Sequence, residues 1–205
     1  MRVSVALCFS FWMACIGCAN RSSPEVPRPE QVTDFATLYK QNCAGCHGEN
    51  GINGVAISLA NPIYLKVAGE AKVRQVITNG VAGKLMPPFG TSAGGALTDQ
   101  QINSLVEGMS KQWTRSDVPA TLPPYSAASK GDSTQGQQAF TKFCARCHKT
   151  DGAGSIVDTS YLALVSDQSL RSTIIAGRPD EGMPDGRTMT DQEVTDIVAW
   201  LAAQR

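Results

Sequence analysis

Apolar residues recur at helical spacing at two widely separated points of the chain. Ile102, Leu105, Val106 and Met109 mark one helix face, and Val194, Ile197, Val198 and Leu201 mark another. The same start signal precedes both runs. Thr98 and Thr190 are suited to cap a helix, and Gln101 and Glu193, three residues on, complete a capping box. Two further runs, "DFATLYKQN" and "GQQAFTKF", each place an aromatic residue, Tyr39 or Phe140, four positions before a cysteine. No stretch shows a convincing strand alternation. The pattern predicts an all-α protein.

These helices belong to an internal repeat. "NCAGCHGENG" (42–51) returns as "FCARCHKTDG" (143–152), so that Cys43, Cys46 and His47 recur as Cys144, Cys147 and His148, each shifted by 101. "VRQVITNG" (73–80) parallels "LRSTIIAG" (170–177), and in both copies a methionine follows the last glycine by six residues: Met86 and Met183. "LTDQQINSLVEGM" parallels "MTDQEVTDIVAWL", with five extra residues around "GTSAGGA" in the first copy. Proline-rich segments flank the repeats. Residues 18–33 read as a tether and 116–129 as a linker. Two domains follow, 34–115 and 130–205.

The C-x-x-C-H spacing carries the chemistry. Two thiols three residues apart can form thioether bonds to the haem vinyl groups, and the histidine directly after them can reach the iron. A covalently held porphyrin also supplies core to a domain of under about a hundred residues that would otherwise be marginal. The chain has two histidines, and both lie in this setting. A four-cysteine zinc site would have to join pairs 98 residues apart and would leave both histidines unexplained. A thioredoxin-like pair would need a βαβ context that the pattern lacks.

The N-terminus, "MRVSVALCFSFWMACIGCAN", has one positive charge and then an apolar run from Val3 to Gly17, the form of a signal peptide over 1–17. Export to the periplasmic side of a bacterial membrane is therefore expected. "CIGC" resembles a bacterial lipobox, which would make Cys18 the lipidated first residue and a membrane anchor. Cys15 departs from that motif, which usually has Leu at this position. The alternative is cleavage after Ala19, giving a soluble periplasmic protein. Of seven cysteines, Cys8 and Cys15 leave with the leader, Cys18 is lipidated or removed, and four attach haem. None remains for a disulfide or a catalytic thiolate.

One axial position on each iron needs a second ligand, and it decides between carrier and catalyst. No other histidine or free cysteine exists; Lys and Tyr serve rarely. Methionine, a soft thioether that raises the reduction potential, fits best. Met86, in "KLMPPFG", lies 39 residues after His47, and Met183, in "EGMPDG", lies 35 after His148. The proline after each holds the methionine in extended backbone. Met109 sits on an apolar helix face and Met189 aligns with Leu97, so both read as core. "MPDGR" lacks the aromatic that "MPPFG" supplies.

Each half resembles a class I c-type cytochrome: an N-terminal helix, C-x-x-C-H, a middle helix, a Met-Pro loop and a C-terminal helix. The whole is similar to dihaem cytochromes c of bacterial respiratory chains and to paired cytochrome domains of some haem–copper oxidase subunits. The resemblance covers 34–115 and 130–205. It implies two covalent haems c, carried by Cys43 and Cys46 and by Cys144 and Cys147. His47 and His148 would be proximal ligands, and Met86 and Met183 distal ones.

The function expected is one-electron transfer rather than catalysis. The donor would be a membrane dehydrogenase or quinol-oxidising complex, and the acceptor an oxidase or reductase. Nothing resembles a nucleophile–base pair. Dihaem peroxidases, the rival class, also carry two such motifs but are generally larger, and thiosulfate-oxidising dihaem enzymes need a cysteine ligand that this chain cannot spare. A dedicated electron-transfer subunit of a larger membrane complex is a third reading. Net formal charge is zero, and no nucleic-acid partner is expected. The first domain has seven Lys and Arg against five Asp and Glu, and the second eight against ten. A basic first half could dock on an acidic partner, and the acidic second half should lower its haem's potential. Mass spectrometry of the mature N-terminus is expected to show an acylated Cys18; an unmodified N-terminus after Ala19 would replace the anchor with a soluble form.

Overall fold

A computed structural model describes residues 26–150 and 156–205. The expected leader over 1–17, Cys18 and the alternative cleavage site lie outside the described residues. The first unit runs α1 (Phe35–Asn42), α2 (Ala44–His47), α3 (Pro62–Asn79) and α4 (Asp99–Trp113). The second runs α5 (Ser133–Phe143), α6 (Thr159–Leu164), α7 (Asp167–Ala176) and α8 (Asp191–Ala202). Among the described residues there is no sheet, and isolated bridges join Gly90 to Leu97 and Arg178 to Met183. No helix among them is long and apolar enough to cross a membrane.

Local chemistry sets the helix starts. Both expected capping boxes form: the Thr98 and Thr190 side chains accept from the backbone N–H groups of Gln101 and Glu193, whose side chains accept in return. Gln101 does more. Its Nε2 donates to the carbonyls of Pro29 (2.9 Å) and Val32 (3.0 Å), which fixes the end of the proline-rich segment. Asn61 and Asp158 each accept from two N–H groups at the start of α3 and α6. The backbone of α3 is broken at Gly69 (φ 69°, ψ 157°). Its two halves therefore match α6 and α7, which are separate helices in the second copy.

The first and last helices of each unit pack by the same device in reverse. In the first unit the gap is made by Gly108 on α4: a Cβ there would lie 2.1 Å from the Phe35 ring of α1. In the second unit the glycine is on the opposite partner. A Cβ on Gly136 of α5 would lie 2.0 Å from the Asp196 carbonyl oxygen and 2.8 Å from Trp200 Cβ. Aromatic rings close both crossings, with Tyr39 5.2 Å from Trp113 and Phe140 4.6 Å from Trp200. Beneath them the predicted apolar faces are buried, including Leu105, Val106, Met109, Val194, Ile197 and Leu201.

A second shared contact ties the middle helix to the last one. Arg74 donates to Asn103, and its equivalent Arg171 donates to Thr195 Oγ1. Arg171 is the more elaborate. It is buried, pairs with Asp191, and donates to the carbonyls of Pro124 (2.8 Å) and Tyr125 (3.1 Å) in the linker. Gln168 also donates to the Tyr125 carbonyl (2.8 Å). A buried cation needs such a full set of acceptors, and here two of them are linker backbone.

The helix crossing gives a direct test. Gly136→Ala is expected to lower the unfolding free energy by about 1–3 kcal/mol through overpacking, measured by denaturant unfolding of the holoprotein; an unchanged midpoint would show that α5 and α8 can separate freely.

Candidate functional site

Both attachment sequences fold as one helical turn. Cys43 and Cys144 have nearly the same backbone, φ −116°, ψ −37° and φ −117°, ψ −36°. The Cys43 carbonyl accepts from Cys46 N (3.2 Å) and His47 N (3.0 Å), and the Cys144 carbonyl from Cys147 N (3.0 Å) and His148 N (2.9 Å). One turn puts residues i, i+3 and i+4 on one side of the helix. Two thiols and an imidazole thus share a face in each unit.

Among the described residues these thiols form no disulfide; they are half-buried at Cys43 and Cys144 and exposed at Cys46 and Cys147. Burial, helped by the neighbouring Cys46, pushes the Cys43 thiol up to about 12. Burial alone pushes Cys144 up to about 11. Catalytic C-x-x-C pairs work through a thiolate of lowered pKa, and these two residues are shifted the other way.

His47 is buried, and its Nδ1 lies 2.8 Å from the Ile57 carbonyl oxygen. A carbonyl can only accept, so Nδ1 carries the proton and Nε2 keeps a free lone pair. Burial pulls the imidazole pKa down against the opposing effect of this bond, which favours the neutral form a metal requires. Tyr39 OH, from α1, donates to the Gly48 carbonyl (3.0 Å) just after the turn. His148 is half-buried in the equivalent turn; the loop after it includes 151–155, outside the described residues.

The two methionine loops close in the same way. Middle helices end at Gly80 (φ 65°) and Gly177 (φ 67°). A Cβ on either would lie 2.6 Å from a carbonyl carbon of the loop, that of Pro87 or Pro184. Only glycine meets both demands, a left-handed backbone and no side chain. The next residue donates to the methionine carbonyl in each copy, Val81 N to Met86 O (3.0 Å) and Arg178 N to Met183 O (2.9 Å). Further on, Gly90 N bonds Thr78 O and Gly186 N bonds Ile175 O, both at 3.1 Å. Met86 and Met183 are half-buried, whereas Met109 and Met189 are core.

The Met183–Pro184 step also borders a cleft of about 510 Å³ between the units, with Pro62, Ile63 and the linker on its other side. The charges at its rim pair among themselves, Arg115 with Asp117 and Arg187 with Asp185. Sequence reasoning missed the residues that join the units there, Arg178 and Asp180. Their signal was present. "GRPDEGM" (177–183) replaces the uncharged opening of "GVAGKLM" (80–86) at equal length.

The donor sets fit haem: each unit offers two thiols and an imidazole on one turn and a thioether on a glycine-closed loop, and in the first unit the imidazole is neutral with its outer nitrogen free. Tandem helical domains of this construction define a cytochrome c, an electron-transfer protein that holds haem c covalently. The chain belongs to the family described as cytochrome c oxidase, cbb3-type, subunit III, whose family model matches residues 30–107 and 131–201. It is 29% identical over 133 residues to the cbb3-type cytochrome c oxidase subunit FixP of Sinorhizobium medicae (strain WSM419), covering 60% of this chain and 41% of that protein. The chain thus spans about two-fifths of this relative's length. A solved chain of the Kuenenia stuttgartiensis reducing HAO-like protein complex Kustc0457/Kustc0458 aligns with 87% of this chain and 99% of its own, at 16% identity and a TM-score of 0.48.

Removing the Tyr39 hydroxyl should loosen the segment after the first attachment turn. Tyr39→Phe is expected to cost about 0.5–1.5 kcal/mol, read from unfolding of the holoprotein, with haem content unchanged.

Proposed function

We propose that the protein is a one-electron carrier with two haems c, one per unit. Cys43 and Cys46 attach the first and Cys144 and Cys147 the second. His47 and His148 are the proximal ligands, and Met86 and Met183 the distal ones. The observation that carries this reading is the duplication of the whole arrangement: the same turn, and the same glycine-closed Met-Pro loop, occur in both units. Bound haem supplies an iron that gains and loses one electron. The chain's part is to hold it. The Ile57 carbonyl fixes the His47 tautomer and ring orientation, the Met-Pro loops position the thioethers, and methionine ligation favours ferrous iron and raises the potential.

The same reading places the chain outside the cytoplasm, on the periplasmic side and anchored through Cys18. A membrane dehydrogenase or quinol-oxidising complex is the donor class, and an oxidase or reductase the acceptor class. The name of the FixP relative, an oxidase subunit, favours the oxidase, and it favours residence as a subunit in a larger complex over free diffusion. Dihaem peroxidase chemistry would require one iron to be open.

Carbon monoxide separates these. The holoprotein should contain two haems per chain by pyridine haemochrome assay, and the spectrum of its fully reduced form should not change under carbon monoxide. Prompt binding at one haem would refute the methionine ligation there and bring small-molecule chemistry forward.

A further inference from the structure

The two methionine loops are anchored by different means. The first is held chiefly within its own unit, with one exposed bond outward from Lys84 Nζ to the Ala163 carbonyl (2.7 Å). Phe89 packs against the core, its N–H bonds the Ile77 carbonyl (3.0 Å), and its own carbonyl accepts from Leu97 (2.7 Å). The second loop has no aromatic at that point and lacks the five-residue extension. Its opening residues lean on the first unit instead. Asn61 Nδ2 donates to the carbonyls of Ala176 (2.9 Å) and Gly177 (3.3 Å). Arg178 Nη2 donates to the Gly54 carbonyl (2.9 Å). Asp180 Oδ2 accepts from Asn53 N (2.9 Å) and from Ser58 Oγ (2.8 Å).

These acceptors and donors all lie on the loop that follows the first attachment turn. Ser58 is buried and adjoins Ile57, whose carbonyl holds His47. Asn53, whose N–H meets Asp180, has a left-handed backbone (φ 60°), unusual for a residue with a side chain. Arg178 also pairs with Glu181 at 2.5 Å. Among the described residues Arg178 Nε and Asp180 Oδ1 are buried with no hydrogen-bond partner, and such atoms are costly to keep. In the first loop the positions equivalent to Arg178 and Asp180 are Val81 and Gly83, which could form no such bonds.

We infer that Asp180 is a positioning residue that latches the Met183 loop to the first haem unit, so that the second distal ligand stays closed only while the units are docked. The inference rests on the proposed role of Met183. The contacts replace the aromatic anchor of the first loop, and they run from the segment that orients His47 to the segment that presents Met183. One haem site thereby borrows part of its rigidity from the other.

The test uses the full-length, fully reduced holoprotein and carbon monoxide, with a redox titration alongside. Signals are assigned against Met86→Ala and Met183→Ala proteins, each of which opens one iron. Asp180→Ala is expected to bind carbon monoxide at the second haem and to lower that haem's potential, leaving the first haem unchanged. Asp180→Asn keeps a carbonyl oxygen that can accept both bonds, and should stay closed. Ser58→Ala removes one bond and should give partial binding at the second haem; it carries the test if Asp180→Ala does not accumulate with two haems. Closed irons and unchanged potentials in both Asp180→Ala and Ser58→Ala, or in Ser58→Ala where it alone accumulates, would overturn the latch while leaving methionine ligation intact. Carbon monoxide binding at the second haem of the unmutated protein would instead overturn the Met183 ligation, and the latch with it.

Discussion

The bond from His47 Nδ1 to the Ile57 carbonyl is the constraint around which the first unit is arranged. It ties the attachment turn to a residue ten positions later and so sets the path of the intervening loop. That path delivers Ser58 and Asn61 to their places. Asn61 then starts α3 by accepting from two of its N–H groups, and α3 ends at the glycine on which the Met86 loop folds. The orientation of His47, a helix start and the Met86 loop are thus one connected piece of backbone. Burial makes the arrangement strict, because an imidazole removed from water keeps its neutral form and its N–H is costly to leave unpaired.

Duplication preserved the chemistry and varied the mechanics. The C-x-x-C-H turns and helix-closing glycines repeat with nearly the same backbone angles and hydrogen bonds. The arginine from the middle helix reaches the last helix in both copies. Yet the glycine at the terminal helix crossing sits on α4 in one unit and on α5 in the other. The requirement is one glycine where the two helices touch, against the Phe35 ring in one unit and the Asp196 backbone in the other, and either helix can supply it. The middle helix shows the same freedom, being broken at Gly69 in one copy and divided into α6 and α7 in the other.

Much of this was legible in the sequence because it is local. Capping boxes are read from four residues, helix faces from four apolar positions, and the attachment turn from five. The methionine loops were found by pairing each with its glycine across the repeat, and the core positions of Met109 and Met189 followed from their neighbours. Arg171, Asp180 and the bonds from Gln101 to Pro29 and Val32 were not legible in the same way. Each acts on backbone carbonyls or hydroxyls far along the chain, and a carbonyl leaves no mark in a sequence. Gly136 reads as a weak point in a helix until Trp200 is seen beside it. The proline-rich linker reads as a spacer, since nothing within it reveals that Arg171 holds its carbonyls.

That held linker limits how interchangeable the two halves are. Fused cytochrome units are easily pictured as beads on a string, exchangeable at the join. Here the cation that secures residues 124 and 125 comes from α7 of the second unit, so the join is fastened to that unit. A foreign cytochrome grafted after residue 129 would inherit the string without the knot, and would hang at no fixed angle to its neighbour.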